Sequence, residues 1–151
     1  MGLTRDEYVR NAALHEAAHA LAFSQGGLAV YSIRVHDPDD ERCAGAVLVD
    51  EADAEDDEQF EALLLGSLTG CAATARYLTD ELDWDPDAAL EYAVDCSQSD
   101  LSAFAEQAGE QAHPGDFERA EQWVEACWDD IEDLAEQVLD AGGVVTAASV
   151  L

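Results

Sequence analysis

The sequence predicts a mainly α (α+β) fold, a helical bundle carrying a small β-hairpin or short sheet. Apolar residues make up 48% of the chain while aromatics reach only 7%. Alanine supplies much of that apolar share, which favours closely packed helices over a sandwich of bulky strands. Apolar residues also recur at helical intervals through most of the chain, and β-branched runs are confined to two short stretches. At 151 residues the chain is the size of one domain, taken as 1–151, able to bury roughly two thirds of the surface its unfolded form exposes.

Thr4-Arg5-Asp6-Glu7 is a capping-box pattern, Thr followed three residues later by Glu, and the helix it opens runs until Gly26-Gly27. The β-branched runs follow at about 29–35 and 44–49, joined by a Pro/Asp-rich turn that suits a hairpin. The acidic stretch "EADAEDDE" reads as a solvated, charged loop or the first turn of a helix. From Glu58 to Leu78, the residues Phe60, Leu63, Leu64, Leu68, Cys71, Ala72 and Ala75 give a second long helix, with Gly66 and Gly70 placed to admit a close neighbour. Pro86 leads into a short helix at about 87–94. Ser97, with Asp100 three positions on, is an N-terminal cap pattern for another helix, whose Leu101, Phe104, Ala105 and Ala108 form a buried stripe. His113-Pro114-Gly115 breaks it. Phe117, Trp123, Val124, Cys127, Ile131, Leu134 and Leu139 then predict one last helix, ended by Gly142-Gly143. Trp84, Trp123 and Trp128 are assigned to the core.

Charge limits the functions available. There are 35 Asp plus Glu against 6 basic residues, all of them Arg, for a formal net charge of −29. Such a surface repels phosphate backbones and anionic membranes, so neither nucleic acid nor membrane is an expected partner. It reads as a solvated carboxylate coat suited to a salt-rich cytosol. The chain opens without a cationic, apolar leader, and its apolar stretches are too short or too interrupted to cross a bilayer, so a soluble, cytoplasmic protein is expected. Cys43, Cys71, Cys96 and Cys127 form no Cys-x-x-Cys pair, which leaves free, mostly buried thiols.

One stretch does not fit a plain core helix. In "NAALHEAAHALAFSQGG", residues 11–27, two histidines and a glutamate fall on the interior of an Ala-rich helix, where uncompensated polar groups are costly. His15 and His19 are four apart, so both imidazoles leave the same face one turn apart and can converge on one metal ion. Glu16 lies between them. In H-E-x-x-H the adjacent carboxylate is placed to take a proton from water that zinc has acidified, ready for attack on a carbonyl. The plain alternative is two incidental histidines, one satisfied by a backbone carbonyl and one exposed.

A catalytic zinc takes three protein ligands. His36, in the predicted turn, and His113, at a helix break, are the remaining histidines, and carboxylates are too numerous for composition to choose among them. Asp100 lies four residues before Phe104, at the edge of the buried stripe and near a helix start. There it could face a second helix as a ligand or merely complement the helix dipole.

The order "LHEAAHAL", a strand pair, "LLLGSLTGCAATARYL" and "CSQSDLSAFAEQA" resembles the peptidase domain of the FtsH-type ATP-dependent zinc metalloproteases over roughly residues 8–141. The resemblance implies a helical, zincin-like bundle, with His15 and His19 as zinc ligands, Glu16 as the catalytic base and Asp100, in "SQSDL", as the third ligand; Asp95 is the runner-up. Ala18 replaces the family's Gly between the histidines, and Cys71 and Thr74-Ala75 stand where the family carries Arg and a Glu pair. No G-x-x-x-x-G-K-[ST] is present, so the resemblance is to a peptidase domain without its motor.

The expected function is therefore a zinc metallopeptidase acting on flexible peptides or unfolded proteins, by itself or with a separate unfoldase. A non-catalytic, zinc-stabilised scaffold whose acidic face binds a basic protein is the alternative. For peptide recognition, the run Tyr31–Val35 is expected to be an edge strand to which an extended substrate adds.

Overall fold

Helix α1 (Arg5–Gln25) runs through the middle of the protein, with every residue from 11 to 20 buried. A computed structural model describes residues 2–35, 45–50 and 55–146 of the chain. The capping box forms as the sequence predicts: Glu7 N–H donates to Thr4 Oγ1 at 3.2 Å, and Thr4 N–H donates to the Glu7 carboxylate at 2.9 Å. Because α1 is enclosed on all sides, its surface is built largely from small residues, Ala12, Ala13, Ala17, Ala18 and Ala20 among them, and neighbours come close.

The closest is α2 (Asp57–Asp80), started by Asp56, whose Oδ1 accepts from the N–H groups of Glu58 and Gln59. The close neighbour expected at its glycines is α1. A side-chain carbon at Gly66 would overlap the Phe23 ring, and one at Gly70 would overlap both imidazoles. Sheet strands β1 (Val30–Val35) and β2 (Gly45–Val49) pair antiparallel with Ile33 opposite Val47, as the two β-branched runs predict.

A third strand, β3 (Val144–Thr146), was not expected, and it gives the order β2-β1-β3. Gly142 and Gly143, at φ 79° and 91°, turn the chain back after the last helix, and Val35 N–H donates to the Gly143 carbonyl at 2.7 Å. The consequence is a correction: Tyr31–Val35 is the central strand, and the edges of the sheet are β2 and β3.

Helices α3 (Pro86–Cys96) and α4 (Gln98–Ala108) meet at Ser97, which occupies the cap position without a side-chain capping bond. Helix α4 stops at Gly109, φ 51°, before the predicted break at His113. Ala108 is its one buried residue and Ala105 is exposed, so α4 sits shallowly. The last helix is two, α5 (Asp116–Ala126) and α6 (Trp128–Asp140), parted at Cys127. Its two halves serve different partners, α5 packing on α2 and α6 on α1, and Asp129 and Asp130 favour a fresh N-terminus after the break.

The three tryptophans are half-buried and packed against the core cluster. Of the described thiols, all free, Cys71 is buried, Cys127 half-buried and Cys96 exposed, so burial is less general than predicted. Cys43, His36, the β1–β2 turn and residues 51–54 of the acidic stretch lie outside the described residues, and the rest of that stretch caps and opens α2. Among those described, no helix is long and apolar enough to cross a membrane.

Candidate metal centre

The buried face of α1 presents His15 and His19 one turn apart, their rings meeting edge to face with centroids 4.7 Å apart. Each ring is held from behind. His15 Nδ1 lies 3.1 Å from Thr74 Oγ1, a hydroxyl able to accept its N–H, and His19 Nδ1–H donates to the carbonyl of Gly66. His19 also stacks on Phe23, with ring planes 9° apart. With each Nδ1 engaged by α2, each Nε2 is the remaining position, lying against Gly70 of α2 and facing Asp100.

Asp100, in the first turn of α4, completes the group. Its Oδ2 lies 3.0 Å from His15 Nε2 and 3.1 Å from His19 Nε2, and the two nitrogens are 3.1 Å from each other. When each ring carries its proton on Nδ1, three electron-pair acceptors converge on one point, an arrangement that needs a positive charge between them. A divalent ion fits. Bonds of about 2.0–2.1 Å in a tetrahedron space the ligand atoms about 3.3 Å apart, close to this triangle. Among the described residues these three are the one cluster of His, Cys, Asp or Glu able to hold a metal ion.

Without an ion, a proton must serve. Burial acts to lower the His19 pKa, but hydrogen bonding to Asp100, the charges of Asp100 and Glu16 and the Gly66 carbonyl outweigh it and raise the group to about 9. Burial acts to raise the Asp100 pKa, and the two histidines more than reverse this, holding the carboxyl well below the usual carboxylate range.

Glu16 is buried, 8% exposed, and lines the same cleft as the three ligand candidates. The cleft, about 650 Å³, is walled by α1, by Gly45, Ala46, Val47 and Val49 of β2, and by the α3–α4 junction. Gly45 is needed where β2 crosses Glu16, since a Cβ there would lie 2.6 Å from Glu16 Cγ.

The sequence-predicted residues separate cleanly. His15, Glu16, His19 and Asp100 share one cleft. Asp95 lines that cleft but stands outside the cluster, and His113 is exposed at the distant start of α5. The orienting groups Thr74 and the Gly66 carbonyl were missed. Their signal was the spacing Gly66, Gly70, Thr74, which puts two small residues and a hydroxyl on one face of α2. Thr74 thus supplies a contact to His15. No protein-family model and no curated protein matches the chain.

Proposed function

We propose that this chain is a zinc-dependent peptidase that hydrolyses flexible or unfolded polypeptides, a counterpart of the FtsH-type peptidase domain. The observation that carries the reading is the convergence of His15 Nε2, His19 Nε2 and Asp100 Oδ2 to 3.0–3.1 Å beside the buried Glu16 carboxylate. Those three atoms would hold the ion. Zinc, when bound, supplies Lewis acidity that polarises a carbonyl and acidifies water. Glu16 then does the proton work: its carboxylate takes a proton from the attacking water and delivers it to the departing amine nitrogen.

The cleft supplies orientation. Strand β2 is an edge of the sheet and lines the cleft, so an extended polypeptide can pair with it and bring a peptide carbonyl to the ligand cluster. Such pairing requires an unfolded substrate, and folded proteins would need a separate unfoldase.

A casein-like unfolded substrate, incubated with the zinc-loaded protein with and without chelator across a salt series, tests the reading. Hydrolysis that chelator abolishes, and that Glu16→Gln loses while retaining its metal, is the expected result. Activity retained by Glu16→Gln would remove Glu16 from its role. The shallow seat of α4, tied to α1 through Asp100, favours a second reading in which the ion only stabilises a scaffold for a basic partner. No hydrolysis at any salt, combined with loss of fold on chelation, would select it.

A further inference from the structure

Asn11 stands four residues before His15 on α1 and is 7% exposed. Its side-chain oxygen is sealed from solvent and has no hydrogen-bond partner among the described residues. A sealed, unpaired amide oxygen is a destabilising feature that an alanine would avoid. With the oxygen turned inward, the NH₂ end of the carboxamide is left to face the cleft, which Asn11 lines together with Glu16, His15 and Asp100.

Position gives this amide a use. Residues four apart share a helix face and are separated by about 6 Å along the axis. An extended polypeptide advances about 3.3 Å per residue. A chain laid along α1 with a carbonyl at the His15–His19–Asp100 cluster would pass Asn11 about two residues away from that carbonyl. Its main-chain carbonyls there can accept from the carboxamide NH₂ that faces the cleft.

We propose that Asn11 is a substrate-positioning residue, its carboxamide hydrogen-bonding the main chain of a bound polypeptide about two residues from the bond to be cleaved. The proposal rests on the peptidase reading, and it adds a minimum substrate length: a polypeptide must extend far enough beyond the scissile bond to reach Asn11.

Two measurements test it. In the first, kcat/KM is compared for a long unfolded peptide and for one truncated to a single residue on each side of the bond. Asn11→Ala should lower the long-to-short ratio about tenfold, carried mainly by KM, while metal content stays at one ion per chain. In the second, the long peptide, fluorescently labelled, is titrated into zinc-loaded Glu16→Gln protein with and without Asn11→Ala. About tenfold weaker binding in the double variant is expected. An unchanged ratio and unchanged binding would overturn the proposal, as would loss of metal or fold in Asn11→Ala together with equal losses on both peptides; Asn11→Ser, smaller but still polar, repeats the comparison if Asn11→Ala does not fold. Absence of hydrolysis by the wild-type protein would sink the peptidase reading instead, and the binding measurement on Glu16→Gln would still decide the role of Asn11.

Discussion

Gly70 on α2 faces His15 on α1 across a gap too small for a methyl group: a Cβ at Gly70 would lie 2.6 Å from His15 Nε2, and it would also overlap His19. The two atoms that converge on the metal position are therefore shaped by a missing side chain on the facing helix. Gly70→Ala should displace both rings and weaken zinc binding by about 100-fold or more, well beyond the few tenths to about 1 kcal/mol that Ala gains over Gly in a helix. Competition with a chromophoric chelator measures this. Gly66→Ala, which strikes Phe23 instead, should cost about 1–3 kcal/mol of stability by overpacking.

Thr74 is buried, and its Oγ1 lies 3.1 Å from His15 Nδ1, placed to accept the ring N–H. Thr74→Val keeps the shape and removes the acceptor, leaving the His15 tautomer unfixed and a ring N–H unpaired. Zinc affinity should fall about 10- to 100-fold while the helical circular dichroism is retained. Wild-type affinity in this variant would show that the Thr74 contact does not orient the ring.

Metal and proton compete for the same place. His19 in the metal-free protein has its pKa raised from 6.5 to about 9, so at pH 7 zinc must expel a proton from it. Apparent affinity should rise with pH between about 7 and 9 by up to about tenfold per unit, then level off, with proton release visible as a buffer-dependent binding enthalpy. The same shift stabilises the metal-free fold. A group whose pKa is raised on folding contributes fully below its unfolded value of 6.5 and loses that contribution as pH climbs through about 9. The metal-free protein should therefore lose melting temperature over that window and the zinc-loaded protein should not.

Helix α4 contributes one buried residue, Ala108, and is joined to α1 through Asp100. In a zinc-loaded protein, chelation would replace the ion's ligand bonds with the weaker hydrogen bonds between Asp100 and a protonated histidine. Amide exchange in α4 should accelerate on chelation by a larger factor than exchange in α1 or α2, as read by mass spectrometry. Uniform acceleration across the chain would indicate global unfolding instead.

The long helices were legible because their signals are local: the Thr4–Glu7 box and the Gly26-Gly27 stop bound α1 within a residue or two. Non-local features were not. The break at Cys127 follows from α5 and α6 having different partners, and β3 is three residues whose strand character comes from pairing with β1, which also places β1 at the centre of the sheet. In the site, the His15-Glu16-His19 spacing could be read directly. Asp100 could not be separated from a helix-capping role by its own neighbours; the structure separates them by turning its carboxylate to the histidines while Ser97, at the cap, makes no capping bond. Thr74 and Asn11 acquire meaning only through what lies opposite them.

Diffraction from crystals grown with zinc, recorded on both sides of the zinc absorption edge, tests the central claim most directly. The account predicts a single anomalous peak about 2.0–2.2 Å from His15 Nε2, His19 Nε2 and Asp100 Oδ2. A map with no peak inside that triangle, or with zinc held by other carboxylates while the two imidazoles remain bonded to Asp100, would contradict it.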